Sequence, residues 1–130
     1  MRVVGHGIDV TEVARIEQLL RDHGERFLAR VYTRHERGFA AEGGKRQGER
    51  LAARFAAKEA VLKALGTGMR TGLAWTDIEV RMLPSGAPTI ALEGRAAELA
   101  AGLGICAWHV SLTHAGGLAV ASVIAEAATP

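Results

Sequence analysis

The sequence predicts an α+β fold, a mainly antiparallel sheet packed on one long helix, and three observations predict it. Residues 51–65 are rich in Ala and Leu, contain no Gly or Pro, and stop at Gly66, so they read as a long helix closed by a glycine cap. Before them come one β-branched stretch and several short helical pieces. After Gly68 the pattern turns to alternation, twice, each time with turn residues in the middle. Strand, helices, then two hairpins is the order of an α+β chain. No internal repeat, linker or low-complexity segment interrupts it, so residues 1–130 read as one domain.

Taken in order, residues 3–10 form a strand that Gly5 and Gly7 loosen, and glycine within a strand often marks a close approach of another backbone or a ligand. From residue 11 the spacing becomes helical, with Val13, Ile16 and Leu20 on one face. At that junction Asp9 or Thr11 suits a helix cap. Gly24 breaks the helix, residues 25–32 make a short helical piece, and Thr33 with Glu36 has the spacing of a capping box for the next one. Residues 41–48 are polar and Gly-rich, a loop leading into the long helix. At about 100° per residue, Leu51, Phe55 and Leu62 share a core-facing stripe, with Glu59 on one flank and Lys58 on the other. Glu59 and Lys63, one turn apart, suit a solvated pair.

The second half starts with a loop at 69–74. Residues 76–82 alternate, 84–87 carry turn chemistry, and 88–93 return as the second strand of a hairpin. A short helix at 95–101 follows. Residues 105–114 alternate again, turn at 115–117, and come back over 118–124. Trp75, Trp108 and the single Cys106 read as core residues, and His109 as a sheet residue.

Composition excludes several classes. Hydrophobic residues are 48% and charged residues 23% of the chain, an ordinary globular balance. The formal net charge is only +2, and the basic residues form no stripe with interleaved aromatics, which argues against a nucleic-acid-binding module. One cysteine excludes an intramolecular disulfide. No run approaches the length of a membrane span, and the first residues lack the apolar stretch of a signal peptide, so a cytoplasmic protein is expected.

Four features ask for a joint explanation: Asp9 after a Gly-rich strand, Glu59 on a core-facing flank, cations at Lys45, Arg46, Arg54, Lys58 and Lys63, and His114 at a strand end. Two carboxylates without a Cys or His cluster suit a hard cation such as Mg²⁺, which keeps waters and completes its shell with substrate phosphates. Nearby cations and the glycines of Gly66-Thr67-Gly68 would take up the remaining phosphate charge. The chemistry this favours is phosphoryl-group transfer.

Gly7-Ile8-Asp9-Val10-Thr11-Glu12, the block Arg54-Phe55-Ala56-Ala57-Lys58-Glu59-Ala60-Val61-Leu62-Lys63-Ala64 with its Gly66-Thr67-Gly68 tail, Asp77-Ile78-Glu79-Val80, Gly86-Ala87-Pro88 and His109-Val110-Ser111-Leu112-Thr113-His114 stand in a particular order. In that order and spacing the chain resembles the holo-acyl-carrier-protein synthase family, the small stand-alone 4′-phosphopantetheinyl transferases. The resemblance runs from Gly5 to about Ile124. It implies transfer of the phosphopantetheine arm of coenzyme A to a serine of apo-acyl carrier protein, releasing adenosine 3′,5′-bisphosphate, in support of fatty acid biosynthesis. It also implies that Asp9 and Glu59 hold Mg²⁺ with the diphosphate and that Lys63 contacts phosphate. Lys45, Arg46 and His114 would meet coenzyme A phosphates, some across a subunit boundary, with Arg54, Gly66, Gly68, Gly86 and Pro88 among the other coenzyme A positions. Arg15 would meet the acidic recognition helix of the carrier protein. A homotrimer with active sites between subunits is implied as well. The chain departs from the family pattern at Ala87, where a lysine is common, and in Asp22 and His23, which dilute the basic run of the first helix.

In-line attack on phosphorus needs charge neutralisation above all, a role for the metal and Lys63. The serine proton could go to a metal-held water, which is favoured, to Glu59, or to Glu36. The rival reading is a catalytically silent coenzyme A-binding paralogue. Its signature would be loss of Asp9 or Glu59, and both are present.

Overall fold

A computed structural model describes residues 1–70 and 72–130. Its elements follow as β1 (Arg2–Glu12), α1 (Val13–His23), α2 (Glu25–Val31), α3 (Arg34–Glu42), α4 (Gln47–Leu65), β2 (Ile78–Met82), β3 (Pro88–Leu92), α5 (Gly94–Gly102), β4 (Ile105–Ala115) and β5 (Leu118–Ala127), with single 3₁₀ turns at Gly44–Arg46 and Trp75–Asp77. The expected α+β architecture is present. Among the described residues all strand pairing is antiparallel: a three-stranded sheet in the order β1-β5-β4, and a separate β2-β3 hairpin. Of the loop expected at 69–74, Thr71 lies outside the described residues.

The chain's first strand pairs with its last. Asp9 faces Ala121 and Thr11 faces Ala119 across β1 and β5. On one face of this sheet Ala119, Ala121, Val123 and Ala125 are buried against α4. The other face carries Ile8 and Val10, both more than half exposed, beside Val120 and Ile124.

Helix α4 is the centre of the molecule. It begins at Gln47, four residues before the expected start, because the Gly-rich stretch closes α3 and makes a 3₁₀ turn that feeds straight into it. It ends at Gly66, whose φ of 79° is the left-handed cap conformation. The stripe of Leu51, Phe55 and Leu62 is buried, but so is nearly every other side of the helix. One core cluster joins its C-terminal half to the sheet, the β2-β3 hairpin and α5; a second joins its N-terminal half to α1 and α2. Small side chains make this possible: six alanines of α4 are buried, letting elements close in from all directions.

Encirclement has a cost for the charged residues of α4. Lys58 has no exposed surface, and it is paired at 2.8 Å with Glu36 of α3, which is equally buried. The Lys58 ammonium also donates to the carbonyls of Trp75 (3.1 Å) and Ile78. Glu36 accepts from the backbone N–H groups of Thr33 (2.9 Å) and Val80 (2.8 Å). The expected Thr33/Glu36 capping box is formed, and its carboxylate serves a second purpose in tying α3, α4 and β2 together. Burial pushes the Lys58 ammonium down from its ordinary value, with Glu36 pulling the other way.

Candidate active site

Strand β1 reaches α4 through its glycines. A Cβ on Gly7 would sit 1.9 Å from the Ala60 carbonyl oxygen, and one on Gly5 would sit 2.4 Å from that of Ala64. No other residue fits at either position without moving the strand away. Side chains alternate along a strand, so Asp9 and Thr11 point to the same face as these glycines. The close approach therefore delivers Asp9 to the flank of α4 that carries Glu59 and Lys63.

There the Lys63 ammonium lies 3.2 Å from Asp9 Oδ1 and donates to the Ile8 carbonyl at 2.8 Å. The buried Thr11 hydroxyl donates to Asp9 Oδ2 at 2.9 Å. Glu59 is half-buried beside them. Its carboxyl is held above the ordinary carboxylate range, first by burial and then by the Asp9 charge, while Lys63 and Arg15 pull it back. Arg15 reaches this end of the molecule from α1, its guanidinium 5.9 Å from the centre of the Phe55 ring. Two mutually repelling carboxylates on a rigid helix and a rigid strand are a fitting donor pair for a hard divalent cation. Among the described residues no group of three His, Cys, Asp or Glu side chains gathers to hold an ion unaided. An ion at Asp9 and Glu59 would complete its shell with water and ligand oxygens, as Mg²⁺ does.

A second feature lies on another side of α4. A cleft of ≈ 270 Å³ opens between α3, the start of α4, the β2-β3 turn and the end of β4, with Arg46, Arg50, Arg54, Gly86, Pro88 and His114 in its wall. The Arg50 and Arg54 guanidinium carbons each lie 4.2 Å from the centre of the Phe39 ring. Arg50 donates to the Phe39 carbonyl at 2.7 Å, and Arg54 to the Arg50 carbonyl at 3.3 Å. Arg54 is only 4% exposed, and its Nε is buried without a partner. Burial pushes its guanidinium down to about 10, against the pull of Glu36. His114 Nδ1 lies 2.9 Å from Glu49 Oε2. Three arginines against one glutamate leave a strongly cationic cleft suited to a multiply charged anion.

Three comparisons bear on what this arrangement is. The family model for the 4′-phosphopantetheinyl transferase superfamily matches residues 5–122. A holo-[acyl-carrier-protein] synthase of Koribacter versatilis is 49% identical over 124 residues, covering 95% of this chain and 98% of that protein. The chain belongs to the holo-acyl-carrier-protein synthase family. Solved structures agree: the synthase from Neisseria meningitidis superposes with a TM-score of 0.85 at 32% identity, over 96% of this chain and 99% of its own. The Helicobacter pylori synthase, crystallised in complex with coenzyme A, gives 0.79 at 30% identity, over 93% and 99%.

Several expectations drawn from the residues alone need correction. Glu36 is no candidate base in this fold, since it has no exposed surface and its oxygens are engaged by Lys58 and two backbone amides. Lys58 is not a free cation for phosphate, for the same reason. Asp9 and Thr11 do not cap α1; the strand runs on to Glu12, and these two side chains bond each other. Lys63 pairs with Asp9 across elements and not with Glu59 one turn back. Cys106 is exposed on the edge strand β4, its Sγ 3.7 Å from Met1 Sδ, because alternation turns it away from the core. Trp75 and Trp108 are half-buried against the core. Lys45 sits exposed on the 3₁₀ turn before α4, outside the cleft wall that holds Arg46. Gly66 and Gly68 both take positive φ at the end of α4, near Lys63. Sequence reasoning missed Arg50 and Phe39. Their signal was the i,i+4 spacing of Arg50 and Arg54, which sets two guanidiniums on one flank.

Proposed function

We propose that residues 1–130 form one phosphopantetheinyl transferase domain that moves the 4′-phosphopantetheine group from coenzyme A to a serine of apo-acyl carrier protein. The products are holo-acyl carrier protein and adenosine 3′,5′-bisphosphate, and the setting is cytoplasmic fatty acid biosynthesis. The observation that carries this reading is the Asp9/Glu59 pair with Lys63 on it, held by the Gly5–Ala64 and Gly7–Ala60 contacts. A silent paralogue would have no reason to keep a carboxylate charge in a half-buried place that disfavours it.

In this reading Asp9 and Glu59 hold Mg²⁺, which supplies charge neutralisation at the diphosphate when bound. Lys63 is exposed enough to turn towards a phosphate oxygen and to stabilise the leaving group as its charge grows. The geometry removes Glu36 from the candidates for the serine proton and leaves Glu59 or a water held at the metal. Arg15, on α1 and electrostatically coupled to Glu59, would meet the acidic carrier protein close to the chemistry.

The cationic cleft and the carboxylate pair call for a shared site. Arg50 precedes Glu59 by nine residues of α4, so they are roughly half a turn apart around the helix and about 13 Å apart along it. One chain therefore presents the two features in different directions. A closed homotrimer would set the Asp9/Glu59/Lys63 end of one protomer against the Arg46/Arg54/His114 cleft of the next, around one coenzyme A. The exposed apolar sheet face of Ile8 and Val10 supplies a surface for such an assembly to bury.

The test is to incubate the protein with coenzyme A and apo-acyl carrier protein, with Mg²⁺ or with a chelator, and to weigh the carrier intact. A mass gain of one phosphopantetheine group that needs Mg²⁺ is expected. An unmodified carrier under both conditions, with coenzyme A bound, would favour the silent paralogue.

A further inference from the structure

Both oxygens of the Asp9 carboxylate are engaged. Thr11, itself buried, fixes Oδ2, which sets the rotamer and leaves Oδ1 as the oxygen for a cation. Lys63 lies on that oxygen at 3.2 Å, anchored a second time by the Ile8 carbonyl at 2.8 Å. A divalent ion ligated by Oδ1 at about 2.1 Å would come within roughly 5 Å of this ammonium, and the two would repel. Side-chain exposure distinguishes the partners: Lys63 is 52% exposed and Asp9 16%. The flexible lysine can leave without disturbing the core, and the aspartate cannot.

We infer that Lys63 is the resident counter-cation of Asp9, and that a divalent ion takes this place only by displacing it. The inference rests on the metal reading of Asp9 and Glu59 given above. Lys63 then has two posts, one on Asp9 and one on the phosphate that accompanies the ion. Moving between them couples the two ligands. The free protein binds the ion weakly, because the ion must evict an ammonium that has nowhere better to go. With a diphosphate present the displaced ammonium gains a partner, and ion and coenzyme A bind cooperatively. The lysine so placed is a gate on metal affinity as well as a contact to substrate, and its removal should act on the two in opposite directions.

Mn²⁺ serves as the probe, with the free aqueous ion followed by its paramagnetic resonance signal during titration of the full chain. Without coenzyme A, Lys63→Met is expected to bind Mn²⁺ about three- to tenfold more tightly than wild type, the scale of losing one half-exposed charge contact. Lys63→Arg, which keeps the charge, should stay near wild type, and added salt should narrow the gap. With coenzyme A the order reverses, wild type gaining far more Mn²⁺ affinity than Lys63→Met. Equal or weaker Mn²⁺ binding by Lys63→Met in the absence of coenzyme A would overturn the inference while leaving the metal site intact. Should wild type take up no Mn²⁺ with or without coenzyme A, or should Glu59→Gln bind it unchanged, the metal reading itself fails and the inference falls with it.

Discussion

Lys58 and Glu59 are neighbours on one helix and opposites in circumstance. Lys58 points into the ring of elements around α4, where Glu36 and two carbonyls meet every hydrogen it carries. Glu59, about 100° further round, points to the edge where β1 passes, and faces burial and a second carboxylate, with Lys63 and Arg15 in partial compensation. A buried charge that is fully matched belongs to the architecture. A half-buried charge that the fold leaves under-compensated is there for something the fold does not contain. Within the stretch Lys58-Glu59 the sequence places one residue of each kind, and the letters alone do not distinguish them.

That contrast predicts where each substitution should hurt. The largest effect is expected at the under-compensated end. Asp9→Ala and Glu59→Ala should each lower transfer by about 100-fold or more while far-UV circular dichroism shows the fold retained. Near wild-type turnover in either variant, at saturating coenzyme A, would break the comparison. A sharper version mixes inactive Glu59→Ala with inactive His114→Ala under conditions of subunit exchange. Partial recovery of activity is expected if the site is shared between protomers, and none if it is not.

At the matched end the damage should be to stability. Lys58→Met leaves the Glu36 carboxylate buried without its partner and should cost about 3–5 kcal/mol in denaturant unfolding. Adding Glu36→Gln, which removes the stranded charge but keeps an acceptor for the Thr33 and Val80 amides, should recover part of that loss. A double variant worse than Lys58→Met alone would mean that the pair is not acting as a pair.

How much of this was legible beforehand follows the same division. The elements were readable because each rests on local rules: alternation for the hairpins, Ala/Leu content and Gly66 for α4, Thr33 and Glu36 for a cap. Asp9, Glu59 and Lys63 were readable as a set, and the fold does bring them together. What could not be read was long-range. The helical wheel gave α4 one buried stripe, since nothing in residues 51–65 says that β1, β2, β5, α1 and α3 would all crowd onto it. Hence the letters alone put Lys58 with the free cations and Glu36 with the possible bases, although the two, 22 positions apart in sequence, are in contact in space. The role of Gly5 and Gly7 was half-legible. Glycines in a strand suggest a close approach, but only the fold names Ala64 and Ala60 as what is approached.

The smallest effect tests the central claim most directly. If Glu59 is kept for function against the interest of the fold, neutralising it should stabilise the protein. Its carboxyl is raised above the ordinary 4.5, so the charge costs nothing in strongly acid solution, where the group is protonated folded and unfolded alike. As pH rises past 4.5 the unfolded chain releases its proton first, and the folded state loses stability until Glu59 itself ionises. Glu59→Gln should therefore melt above wild type at pH 7, with the difference closing towards pH 4, and should be inactive in transfer. A melting temperature at pH 7 that falls on substitution would show that the Glu59 charge supports the fold, as Lys58 does, and would contradict the account.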